Sequence, residues 1–156
     1  MADRLFFCLR FRWHCERMKS LERIDFPTLV RASKPNTFLL APAGLCANAK
    51  PDVISSQYET SAAQLRQAFL RVALSKPRVS HTLKDDVALY DNLVSRSALF
   101  RFPDLIAVRC LDLGKGRSSL AVYARSVYGH SDLGVNRART MACLREVEET
   151  FKPVSP

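Results

Sequence analysis

The densest run of polar and charged side chains is Ala124–Arg139, ARSVYGHSDLGVNRAR, and it holds most of what could do chemistry in this chain. Arginine guanidinium groups fork onto carboxylate or phosphate oxygens through paired hydrogen bonds. Arg125, Arg137 and Arg139, with Arg96 and Arg101 earlier in the chain, are therefore candidate contacts for an anion. Ser131, Asp132 and Asn136 are short polar residues of the kind that cap a helix start, where unpaired amides also collect anions. Arg137 and Arg139 fall in or beside that first turn, a position the helix dipole disfavours for a cation by roughly a few tenths of a kcal/mol to 1 kcal/mol. Negative charge must lie alongside, supplied by Asp132 or by a bound phosphate or carboxylate. Two readings follow. In one, the strand-to-helix corner is an anion site; in the other, Ser131, Asp132 and Asn136 cap the helix while the arginines pair with Asp104 and Asp132 in a structural network.

Catalysis has less to stand on. A hydrolase-like mechanism would use Asp132 and His130, but residues this close in the chain seldom form a relay. His14, His81 and His130 lie far apart without metal-ligand spacing, and no G-x-S-x-G, phosphate-cradling glycine loop or H-E-x-x-H occurs. Asp85 and Asp86 read as turn residues. Cys8, Cys15, Cys46, Cys110 and Cys143 form no C-x-x-C pair, so reduced thiols are expected, and no metal or other cofactor is implied.

The elements that must position these residues are legible from periodicity. Ser61 and Gln64 make a capping box ahead of a helix from Ala62 to Leu74, with Leu65, Phe69 and Val72 at helical spacing and Arg66 and Arg71 off that stripe. Beyond Pro77 the pattern alternates: strands over 78–83 and 87–97 around a Lys84-Asp85-Asp86 turn, a third over 105–113 with both faces covered, and a fourth over 118–128 after a Gly114–Arg117 turn. A second helix follows from Val135 to Phe151, closed by Pro153. The expected architecture is α+β, a four-stranded antiparallel meander with both helices on one face, in the order α-β-β-β-β-α. Phe69, Val108, Leu120, Leu144 and Val147 are the predicted core. Pro27, Pro35 and Pro42 make Ile24–Pro42 an extended lead-in, and Ala43–Tyr58 reads as loop.

Three stretches also resemble a known family. Ser126–Arg139, with Gly129, Ser131, Asp132, Gly134, Asn136 and Arg137, is similar to the signature of domain of unknown function 1499; Pro35-Asn36 resembles its N-terminal element, and Ser95–Asp104, SRSALFRFPD, its central one. The resemblance covers about Ile24–Leu144. It implies a fold rather than a chemistry, because the family has no established activity. Where many members carry a second acidic residue and a cysteine, this chain has Leu105 and Thr37, which argues against a paired-carboxylate or thiol mechanism.

At 156 residues and 47% hydrophobic, the chain suits one globular domain, expected over 24–152 behind a flexible 1–23 tail, with Met18 an alternative start. That tail is cationic and aromatic, so a peripheral membrane contact is a lesser reading. The early apolar run Leu5–Leu9 is too short for a signal or a span, and a soluble, cytoplasmic protein is expected. The net charge of +9 favours a small anionic ligand or acidic partner. Nucleic-acid binding rests on charge alone, since no RNP-like or C₂H₂ spacing accompanies it.

Overall fold

The computed structural model describes residues 23–154; the readings of the tail, including its start and its membrane contact, lie outside them. The elements are β1 (Thr37–Ala41), β2 (Val53–Ile54), β3 (Gln57–Tyr58), α1 (Ala62–Ser75), β4 (Val79–Asp85), β5 (Tyr90–Arg96), β6 (Pro103–Gly114), β7 (Arg117–Ser126), α2 (Val135–Thr150) and β8 (Pro153–Val154). The class is α+β, but the sheet is larger than a four-stranded meander. Its order is β2-β1-β7-β6-β5-β4, with β3 pairing β7 and β8 off that path. It is also mixed, because β1 and β2 run parallel while the pairs along β4 to β7 are antiparallel.

The added strands have physical reasons. Thr37–Ala41 lies between two prolines in a segment read only as extended, yet it is apolar on alternate positions facing both ways and pairs with Thr37 opposite Arg125 on β7. β2, β3 and β8 are two residues each, too short to show any period. Two boundaries move as well. Lys84 and Asp85 belong to β4, and the turn that follows runs through Leu89, which adopts a positive φ of 49°. β7 stops at Ser126, leaving Val127 and Tyr128 in the loop to α2.

The sheet is sandwiched. On one face Phe38, Leu40, Leu93, Ile106, Val108, Leu120 and Val122 pack against α1 and α2 through Leu65, Phe69, Leu144 and Val147. All five predicted core residues are buried there. On the other face Leu39, Tyr90, Ala107 and Tyr123 are covered by Phe26 and Leu29 of the lead-in and by Ala49 of the segment after it. The lead-in is tied down by the Ile24 amide donating to Tyr90 Oη at 2.8 Å, by Arg31 to Asp52 at 2.8 Å, and by Arg23 to Asp85 at 2.7 Å. Helix α1 begins with the expected capping box, Ser61 Oγ accepting from the Gln64 amide and Gln64 Oε1 accepting from the Ser61 amide.

Arg66, read as lying off the apolar stripe, is buried. It lies three residues before Phe69, on the same helix face, and is 7% exposed. Its guanidinium forks onto the fully buried Asp91 of β5, Nε to Oδ2 at 2.6 Å and Nη2 to Oδ1 at 2.8 Å, and reaches Asp86 at 2.7 Å. His81 Nε2 lies 2.7 Å from Asp91 Oδ1. The cluster holds the Asp86 carboxyl below the usual carboxylate range, through Arg66 first and Lys84 second. Removing one member of such a pair leaves a charge buried alone. Asp91→Ala is expected to lose about 3 to 5 kcal/mol in urea unfolding. The double variant Arg66→Met, Asp91→Leu should recover a large part of that loss, and strictly additive losses would contradict the coupling.

Candidate functional site

The three stretches behind the family resemblance meet at one end of the sheet, where β5 ends, β6 begins and β7 hands over to α2. Asn36 precedes β1 there. Its Nδ2 donates to the carbonyls of Ser126 at 3.3 Å and Gly129 at 3.0 Å, and its own carbonyl accepts from the Ser126 amide at 3.0 Å. The chain then turns through residues 127–134 into α2. Gly134 enters the helix with φ of 79°, a left-handed value glycine adopts without strain. Because glycine carries no capping oxygen, Asp132 serves instead: Oδ1 accepts from the Gly134 amide at 3.1 Å and Oδ2 from the Asn136 amide at 2.8 Å. Ser131 Oγ accepts from the Leu133 amide at 3.2 Å.

Asn136 is the hub. It is fully buried, and its Nδ2 donates to Ser126 Oγ at 3.0 Å and to the Asn36 carbonyl at 3.3 Å, while its Oδ1 accepts from Arg139 Nη1 at 3.3 Å. Arg139 also donates to Asp104 Oδ2 at 2.9 Å, and Ser126 Oγ donates to Asp104 Oδ1 at 2.6 Å. Both Asp104 oxygens are thus occupied. Nothing here resembles an activated nucleophile: Ser126 donates to a carboxylate with no histidine between them, and the exposed His130 makes no hydrogen bond to Asp132, whose oxygens are held by amides.

The remaining arginines do not converge on this network. Arg137 is exposed, its guanidinium 5.8 Å from the centroid of the Phe38 ring. Arg96 donates to the Arg101 carbonyl at 3.3 Å, and Arg101, at φ of 58°, is exposed in the β5–β6 hairpin. Arg125 follows Tyr123 on the lead-in face of β7, so the sheet itself separates it from Ser126 and Arg139. Arg125 and Arg137 therefore lie on opposite faces of the sheet, and the groove that Arg125 lines does not include Arg96, Arg101 or Arg137. Arg139, rather than Arg137, is the partner of Asp104.

Arg125 instead lines an open groove of about 440 Å³ between the lead-in and the end of β7. Its walls include Leu29, Val30, Tyr123 and Val127, with Arg31 and Lys34 at the rim. Arg31 is neutralised by Asp52, whereas Arg125 and Lys34 have no ion-pair or hydrogen-bond partner among the described residues. The field of Arg125 reaches Tyr90, whose hydroxyl burial pushes up while the Ile24 amide and the Arg23 and Arg125 cations pull it back.

Elsewhere little is reactive. Among the described residues no group of His, Cys, Asp and Glu could hold a metal, and Cys46, Cys110 and Cys143 are free thiols. Burial pushes all three up, Cys110 to about 12 beside Asp91, so none is thiolate at neutral pH. The void of about 10 Å³ between the helices and the sheet, lined by Phe69, Leu93 and Cys143, is no larger than one water. No described helix is long and apolar enough to cross a membrane.

The fold and this corner define an α+β protein in which Asn36, Asp104, Ser126, Asp132 and Asn136 tie the lead-in, β6, β7 and α2 together, while Arg137 stays exposed. Residues 30–147 match the family described as protein of unknown function, DUF1499, and the chain belongs to that family. No curated protein matches the sequence. Since every polar atom of the Asn136 side chain is used, Asn136→Ala is expected to cost about 2 kcal/mol or more, by stranding buried partners. Thermal melts should show a drop of several degrees; a wild-type melting temperature would contradict the hub.

Proposed function

We propose that this protein is a binding module without covalent chemistry, and that its ligand presents a phosphate or carboxylate to Arg125 in the groove between the lead-in and β7. The observation that carries the proposal is Arg125 itself, a partly buried guanidinium on a sheet face without a counter-ion among the described residues. A cation held near low-dielectric walls is attractive to an anion that can use its fork. Lys34 adds a second positive charge at the rim. Leu29, Val30, Tyr123 and Val127 give the ligand's remaining atoms an apolar wall, which favours a small amphiphilic anion over inorganic phosphate alone. The signature network supports this role from behind, because Asn36 fixes the end of β7 on which Arg125 sits. A hydrolase-like reading through Asp132 and His130 draws no support from the corner, where the two are not paired.

The test is a thermal-shift series with phosphate and short-chain carboxylates against chloride at equal ionic strength. Mass action gives about 2.7 kcal/mol at a hundredfold excess over the dissociation constant, several degrees for a domain of this size. Arg125→Ala should abolish the gain and keep a folded protein, whereas Arg137→Ala should retain it. No anion response in the wild type, or a response that survives Arg125→Ala, would refute the assignment.

A further inference from the structure

Two loops at the same end of the sheet project an apolar surface that the fold does not use. The β5–β6 hairpin exposes Leu99 (79%) and Phe100 (68%), and Phe100 stacks on the half-exposed Phe102 with centroids 5.4 Å apart. The loop into α2 lies beside it: Phe102 and Tyr128 rings are 5.1 Å apart, and the Val127 amide donates to the Pro103 carbonyl at 3.2 Å. That loop exposes Leu133 at 93%. These side chains stand exposed in two loops.

The charge around them is mostly positive. Arg101 and Arg137 are exposed with no carboxylate partner among the described residues, and Arg96 and Arg78 stand beside Arg101, Arg96 donating to the Arg101 carbonyl at 3.3 Å and Arg78 to the Arg96 carbonyl at 3.1 Å. The two acids nearby are already engaged, Asp104 by Arg139 and Ser126, Asp132 by the amides of Gly134 and Asn136. We infer that this end of the molecule docks on an anionic lipid surface, Leu99, Phe100 and Leu133 entering the interface while Arg101 and Arg137 meet lipid phosphates. Exposed apolar loop residues with Arg101 in the same hairpin and Arg137 four residues after Leu133 suit the headgroup boundary, where apolar groups reach roughly 5 to 10 Å deep and long cationic chains extend back to the phosphates. This surface is separate from the Arg125 groove and does not depend on it.

The experiment is co-sedimentation of the full chain with vesicles of phosphatidylcholine alone and of equal parts phosphatidylcholine and phosphatidylglycerol. Binding should require the anionic lipid and weaken with salt. The double variant Arg101→Gln, Arg137→Gln should bind more weakly by about fivefold per arginine. The double variant Leu99→Ser, Phe100→Ser should lose a comparable amount, and both should melt like the wild type because these side chains are exposed. Position is read separately with Trp13→Phe, which removes the single tryptophan, combined with Phe100→Trp. Its fluorescence should be quenched by brominated lipid in anionic vesicles. Absence of binding to anionic vesicles, equal binding to phosphatidylcholine, binding unchanged in both double variants, or an unquenched Trp at position 100 would each overturn the proposal; the third would place any lipid contact in residues 1–22.

Discussion

The side chain of Asn136 has no access to water, so each of its hydrogen bonds must come from the protein, and those bonds reach two other segments of the chain as well as Arg139 of its own helix. A buried amide left unpaired costs about 1 to 3 kcal/mol per group. The lead-in at Asn36, the end of β7 at Ser126 and the first turns of α2 are thereby held in one relation, with Asp104 of β6 joined through Ser126 and Arg139. Both the loop tips and the Arg125 groove take their positions from this constraint. The sheet separates Arg137, the signature arginine without a carboxylate partner among the described residues, from Arg125 in the groove.

A second buried charge cluster does for α1 what the corner does for α2. Arg66 reaches from the helix to Asp91 on the sheet, and a buried pair of this kind is better understood as fixing orientation than as adding stability, since desolvation offsets most of its attraction. Apolar packing supplies the driving force on that face, through Phe69, Leu93, Val108 and Leu144. The opposite face is closed by a segment with no helix, and that difference leaves room for the groove at Arg125.

Much of this was legible in the sequence and some was not. The capping box at Ser61 and Gln64, the change of period after Pro77 and the core positions Phe69, Val108, Leu120, Leu144 and Val147 were readable, because each is a local or periodic signal. The sequence marks Thr37–Ala41 only as extended, since its partner on β7 lies far away in sequence. Arg66 sat in plain view three residues from Phe69, and Asp91 two from Leu93, but a charge at an inward position is recognisable only when its partner is known. Alternation along β7 placed Arg125 with Tyr123. It does not say which face the helices cover, so by sequence Arg125 and Arg137 group together although the sheet divides them.

The central claim is that the signature corner is a structural clamp while the ligand-facing cation is Arg125. The most direct measurement is a titration of the isotopically labelled protein with a short-chain carboxylate, followed residue by residue through backbone amide and arginine side-chain resonances. The account predicts saturable shifts at Arg31, Lys34, Tyr123 and Arg125, with the amides of Asp132, Gly134 and Asn136 unmoved. Shifts centred on the start of α2, with Arg125 silent, would contradict it.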